Sequence, residues 1–369
     1  MNRKSRLVLP AVFAVGVASC ASHSSPPPAA ISPAPTSAPS ASTAPAPPAA
    51  AGQYHVIRRI QLGGEGGWDY LTADSDARRL YISRGTRVVV LDLDSGETVG
   101  EIPNTQGVHG VALVPELHRG FTSNGRSSTI TVFDTKTRAV LGEIKATGEN
   151  PDAILYDPVS RRVFTFNGRG KNATAIDADS QAVAGTVDLG GKPETGVSDG
   201  KGRVLVNIED TNEVVALDSK GLKVLGRWPL TPCEEPTGMA FDSAHRRLFI
   251  GCHNKKMMVL DSENGHVVAT LPIGEGVDAN AFDSKAALAF ASCGDGTLTV
   301  AHEDSPDSFR VVENVSTQRG ARTMALDEKT HRIYLATAEF GPPPAPTAER
   351  PNPRPSMVPG SFTILVVGP

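Results

Sequence analysis

From Gly63 onward, short apolar runs are separated by turns rich in Gly, Asn, Asp and Pro, and apolar and polar positions alternate within the runs. That is the pattern of short strands with packed faces. The runs come in groups of four. "NPDAILYDPVSRRVFTFNG", from Asn150, and "EPTGMAFDSAHRRLFIGCH", from Glu235, share one plan: a polar turn, a short apolar run, Asp, a turn ending in two Arg, then a second run. A third strand closing on Asp follows ("VVVLD", "ITVFD", "VVALD", "MMVLD"), then a fourth such as "AVLGEI" or "HVVATL". No amphipathic helical stretch competes after Gly52, which excludes an α-solenoid.

One equivalent position, read as the residue just before each first strand, marks the period: Asp69, His109, Asp152, Glu194, Thr237, Asp278 and Arg322. Their spacings of 40, 43, 42, 43, 41 and 44 residues suit a four-stranded propeller blade. The seventh unit is short of a strand. After "TMALD" and "RIYLATA" comes a Pro-rich stretch, residues 341–360, and then "SFTILVV" (361–367) as a third strand. "YHVIRRIQL" (54–62) has no unit of its own. Pairing these two segments gives an all-β, seven-bladed β-propeller over residues 53–369 and leaves no open edge. Small residues recur on the first strands, where the blades converge: Gly110, Ala112, Ala153, Gly238, Ala240 and Ala279. The Asp that follows five of the third strands (Asp92, Asp134, Asp177, Asp218, Asp261), replaced by His302 in the sixth unit, suits a side chain capping the backbone N–H groups of a hairpin turn better than a calcium loop.

"RRVFTFNG", "RGFTSNG" and "RRLYIS", each followed by a strand ending in Asp, resemble the YVTN-repeat, or YncE-like, β-propeller family. The likeness covers residue 63 to the C-terminus and implies a seven-bladed, exported propeller. The family carries no single activity, so the resemblance implies a fold and a compartment rather than a reaction.

In a propeller the loops entering the first strand and leaving the second share one face. The seven-position ring, with Trp68 and the Asn124, Asn167 and Cys252 ends of second strands, is therefore expected at one mouth, overhung by the Pro-rich insertion. Asp69, Asp152, Glu194 and Asp278, with His109 and Arg322, either accept bonds within their own turns or form a polar-ligand or metal site. Trp68 either stacks on a ligand or wedges between blades. Arg84, Arg87, Arg126, Arg169 and Lys171 form either a basic rim or solvated loop charge.

Composition and the ends narrow the partners. Arg3, Lys4 and Arg6 precede an apolar stretch, Leu7–Val17, too short to span a bilayer, and "VASC" resembles a bacterial lipobox. The expectation is a signal peptide (1–19), an acylated Cys20 anchoring the chain to the outer membrane of the cell envelope, and a Pro/Ala/Ser-rich disordered tether (20–52). Whole, the chain has 36 Lys+Arg against 40 Asp+Glu; losing the leader leaves 33 against 40, net −7, which argues against nucleic acid. Cys233 and Cys252 fall near the ends of adjacent antiparallel strands and can form a disulfide, leaving Cys293 free. Apparent motifs fail on context. "GVSDG" (196–200) sits at a tight hairpin rather than before a helix, and "GEGVDA" (274–279) leads into a strand, not a nucleotide-binding helix. There is no CxxCH for haem and no HExxH.

Two function classes follow. One is a binding module whose mouth takes a small molecule, cell-wall component or protein. The other is a hydrolase resembling propeller lactonases, with Ca²⁺ or Mg²⁺ on Asp69, Asp152, Glu194 and Asp278 and with His109 as base. Such lactonases usually have six blades, and no residue pattern of theirs maps onto this chain.

Overall fold

A computed structural model of the chain describes residues 54–347, 353 and 355–369. The expected leader, Cys20 and the tether lie outside these residues. The rest forms seven four-stranded antiparallel sheets. Six are built from consecutive strands; the innermost strands are Leu71–Asp74, Val108–Val114, Pro151–Asp157, Pro193–Ser198, Pro236–Asp242 and Val277–Asp283. We number these blades 1 to 6. Blade 7 is made from both ends of the chain: Thr323–Asp327, Arg332–Thr337 and Thr363–Gly368, closed by His55–Gln61. The closing pair runs antiparallel, with His55 opposite Gly368, Arg59 opposite Leu365 and Gln61 opposite Thr363.

Burial explains why the middle strands are so apolar. Second strands such as Arg162–Asn167 are covered on both faces, whereas the outermost strands alternate, as in Lys223–Pro229. The covered faces meet between blades. Among the described residues there are seven apolar clusters, one at each blade–blade junction; Tyr81, Val90, Val111 and Phe133 join blades 1 and 2. Near the axis there is little room. A Cβ on Gly238 would fall 2.7 Å from the backbone nitrogen of Asn280 in the next blade.

The capping Asp residues behave as the sequence indicated. Asp134 Oδ1 accepts from the N–H groups of Lys136 (2.9 Å) and Thr137 (2.7 Å), and Asp218 Oδ1 from those of Lys220 (3.0 Å) and Gly221 (2.8 Å). Cys233 and Cys252 are disulfide-bonded with Cα atoms 5.4 Å apart, and Cys293 is free and buried.

One strand boundary needs correction. In blades 2 to 6 the ring residue is not before the first strand but second within it. The cause is a bulge. Val108 pairs with Asn124 and Val111 with Thr122, so an extra residue is accommodated around His109, and the same shift follows Pro151, Pro193, Pro236 and Val277. A bulge re-aims the side chains it carries.

Deleting residues 54–62 would strip one edge of blade 7 and uncover the apolar clusters on both its sides. The expected outcome is loss of cooperative unfolding and a shift to aggregated material relative to the intact chain, read by thermal melting and size exclusion. Leu365→Ala, at a fully buried position, is expected to cost about 2–5 kcal/mol. A soluble monomer with unchanged melting after the deletion would contradict the closure.

Candidate functional site

A repeated clasp fixes the ring. The penultimate residue of a second strand reaches the backbone of a neighbouring ring position. Asn207 Nδ2 donates to the carbonyl of Thr237 (2.9 Å), and the hydroxyls of Ser123 and Ser292 donate to the carbonyls of Asp152 and Arg322. In blade 1, Ser83 Oγ accepts from the Asp69 N–H at 2.8 Å. Asp69, Asp152, Thr237 and Arg322 are thus set by polar contacts of their backbone.

The ring side chains neutralise one another. His109 Nδ1 lies 2.6 Å from Asp69 Oδ2 and 3.4 Å from Asp152 Oδ1, bridging three blades. Lys192 Nζ pairs with Glu194 Oε1 at 2.7 Å and also with Glu209. Arg322 Nε lies 3.3 Å from Asp278 Oδ2. Every one of the four acids expected as metal ligands therefore has a cationic partner within the fold. Asp69, His109 and Asp152 do converge, with ligand atoms within 4.8 Å of one another, and that trio alone of the expected set has the compactness to hold a cation. Thr237 turns away, its hydroxyl donating to the Val277 carbonyl at 3.0 Å.

Burial sets the protonation states. It pulls the His109 imidazole down, but the Asp69 hydrogen bond and the charges of Asp152, Asp69 and Glu194 outweigh it and push the pKa up to about 9. Burial pushes Asp152 up to about 6, with the His109 charge opposing. Glu194 is pushed up by burial and by the Asp152 charge, against the Lys192 hydrogen bond.

Sequence reasoning missed Tyr70. From blade 1 it crosses the axis to blade 4, its hydroxyl 3.5 Å from Thr195 Oγ1, and its ring packs on the cluster between blades 3 and 4. Burial, then the charges of Glu194, Asp152, Asp69 and Asp278, raise its pKa well above the ordinary phenol value. The four acids therefore share one neighbour. An aromatic residue beside Asp69, in a strand position held elsewhere by small residues, was the available signal.

Other expectations are corrected. Asn124 and Asn167 do not face the mouth: both are fully buried, and their amides bind hydroxyls on their own third strands, Asn124 to Thr131 (2.8 Å) and Asn167 to Thr174 (2.9 Å). A polar end to a buried strand is satisfied internally because solvent cannot reach it. Arg84 is no rim residue. Its guanidinium lies 3.8 Å from the centre of the Phe362 ring and donates to the carbonyls of Gly66 and Gly63, which ties the loop before blade 1 to blade 7. Trp68 wedges against Phe362 (ring centres 5.0 Å apart) and Phe340 (6.2 Å).

Two clefts open beside Trp68. The first, about 580 Å³, is lined by Trp68, Asp69, His109, Arg126, Asn150 and Arg169. The second, about 530 Å³, lies against Arg319, Arg322, Phe340, Pro355 and Met357, which places Pro355 and Met357, two described residues of the Pro-rich insertion, beside Trp68. Of the expected basic rim, Arg87 pairs with Glu101 (3.2 Å) and Lys171 with Asp210 (2.8 Å). Among the described residues Arg126 and Arg169 are exposed and have no ion-pair partner.

No family model and no curated protein matches the chain. Solved structures do. A chain in the crystal structure of the mitotic checkpoint complex is similar with TM-score 0.70 at 12% identity, over 89% of this chain and 96% of that one. The structure of U3-55K gives 0.69 at 8%, over 85% and 98%, and Kuenenia stuttgartiensis hydrazine synthase 0.61 at 15%, over 75% and 95%. At such identities the likeness is one of fold: a β-propeller.

With a folded pKa of about 9 above the ordinary 6.5, protonated His109 contributes stability that is fully present below about pH 6.5 and lost as pH rises through about 9. His109→Gln is expected to cost roughly 1–3 kcal/mol at pH 6 and far less at pH 10.5. Denaturant melts at the two pH values check this. An imidazole NMR signal titrating at or below pH 6.5 would overturn it.

Proposed function

We propose that this chain is an exported, lipid-anchored member of the YVTN-repeat propellers whose mouth binds a small polar ligand carrying an anionic group. The observation that carries the reading is the contrast in charge pairing. The ring's acids each have an internal cation, whereas Arg126 and Arg169 stand unpaired beside a cleft of about 580 Å³ that they share with one exposed carboxylate, Glu149. Such a volume suits a small ligand. Two guanidiniums favour a carboxylate or phosphate, and Asn150 offers an amide for hydroxyl or amide groups. Lipid on Cys20 and a long tether would hold this mouth near a membrane surface, in reach of cell-wall fragments.

The hydrolase reading keeps one support, the Asp69–His109–Asp152 trio. A cation there would have to displace the proton that the two carboxylates hold on His109, which disfavours binding at neutral pH.

The test is a fluorescence titration of the purified protein with small dicarboxylates and hexuronic acids, beside neutral hexoses. The expected result is saturable binding of acidic probes, weakened at least tenfold in Arg126→Ala/Arg169→Ala and reduced by added salt. Binding indifferent to that double variant, or limited to neutral sugars, would remove the proposal. Calcium-dependent ester cleavage lost in Asp152→Asn would favour the hydrolase instead.

A further inference from the structure

On the face opposite the mouth, at three of the seven junctions, a cation from one blade reaches the Asp at or just past the end of the innermost strand of the blade before it. Arg78 Nη1 of blade 1 lies 2.7 Å from Asp327 Oδ2 of blade 7. Arg246 Nη2 of blade 5 lies 2.8 Å from Asp199 Oδ2, beside blade 4. His331 of blade 7 pairs with Asp283 of blade 6. The cation in each case sits at the left-handed residue of the first turn, with φ of 56°, 60° and 59°. In blade 6 that residue is Ala287, φ 53°. Asp242 of blade 5 therefore receives no arginine or histidine from its neighbour.

A second substitution compounds the first. The carbonyl of the left-handed residue accepts an N–H from just beyond the third strand: Leu93 on Arg78, Ala178 on Arg161, Ser262 on Arg246. In blade 6 the equivalent donor is Glu303, on Ala287 at 2.9 Å. In blades 1, 3 and 5 this position sets an arginine beside a neutral residue, and in blade 4 it sets Gly202 beside Ser219; in blade 6 it sets a methyl group beside a carboxylate. Asp242 and Glu303 are 2% and 5% exposed. Only His245, in the first turn of blade 5, stands between them, its Nδ1 2.8 Å from Asp242 Oδ2 and 3.1 Å from Glu303 Oε1. One Nδ1–H cannot serve both. Among the described residues neither Glu303 oxygen accepts a hydrogen bond. Arg247, the other nearby cation, is committed to Asp261 (3.3 Å), Asp307 (3.0 Å) and the Pro306 carbonyl (2.7 Å). Burial and the Asp242 charge push the Glu303 carboxyl up to about 7.

The structure is shaped around this junction. The outer hairpin of blade 6, Thr297–Ser305 and Ser308–Ser316, has nine residues per arm where blade 5 has six in each outer strand. Its end folds over blade 5, Phe309 resting edge-on against Phe249 with ring centres 5.7 Å apart. A buried carboxylate without donors costs several kcal/mol, which either protonation or a compensating cation relieves.

We infer that Asp242, His245 and Glu303 form a divalent transition-metal site, of the zinc class, that clasps blades 5 and 6 where the inter-blade arginine is missing. Their ligand atoms lie within 4.8 Å of one another, a span that an ion with bonds of about 2.0–2.2 Å closes with small side-chain shifts. Two carboxylates match a 2+ charge, and the imidazole selects zinc, cobalt or nickel over calcium and magnesium. His245, half-exposed, gives solvent access and leaves room for water as a fourth ligand. The site shares no residue with the mouth.

The experiment is a calorimetric titration of chelator-stripped full-length protein with ZnCl₂ at pH 7.5, followed by thermal melts. The expected result is one zinc equivalent per chain with a raised melting temperature. Glu303→Gln and His245→Ala should each weaken uptake at least tenfold, while Asp69→Asn at the mouth leaves it unchanged. Since His245 is a half-exposed turn residue, His245→Ala remains informative should Glu303→Gln fail to fold. Absence of uptake by the wild-type protein, uptake unchanged in His245→Ala, or uptake abolished by Asp69→Asn would each overturn the inference.

Discussion

Ring closure is the constraint on which the rest of the molecule depends. A single four-stranded blade has two apolar faces and cannot bury either alone; each face is covered only because a neighbour stands beside it. Seven junctions require seven neighbours, so the last blade has to find the first. The backbone ladder between His55–Gln61 and Thr363–Gly368 supplies that, and Ile60, Ile364 and Leu80 then pack in one cluster. The mouth inherits this geometry directly. Arg84 anchors the loop of Gly63 and Gly66 over Phe362, and that loop delivers Trp68 and Asp69 to their positions.

What was legible in the sequence is what repeats. A period near 42 residues, an orphan strand at each end and an Asp after five of the third strands need only local pattern and the rule that strand edges are paired. The Cys233–Cys252 bond was legible because strand pairing fixes which Cα atoms are adjacent. The partnering of charges was not. Whether Asp152 meets a metal or His109 depends on a bulge that turns the side chain and on a neighbour 43 residues away. Asn124 and Asn167 misled for a related reason: an amide at a strand end looks like a binding group, but here the strand end is inside the sheet.

Equivalent backbone positions in this fold carry unrelated chemistry. The residue that is Arg78 in blade 1 is His331 in blade 7 and Ala287 in blade 6, all in the same left-handed conformation. The scaffold tolerates the exchange because hydrogen bonds from the backbone, not the side chain, hold the turn. Electrostatics is therefore free to differ from junction to junction, and departures from the repeat mark where chemistry has been added.

Tyr70 braces the ring across its diameter. Its side chain starts in blade 1 and packs against the junction of blades 3 and 4, with its hydroxyl 3.5 Å from Thr195 Oγ1. A ring held only around its circumference can flatten, whereas one with a spoke resists it.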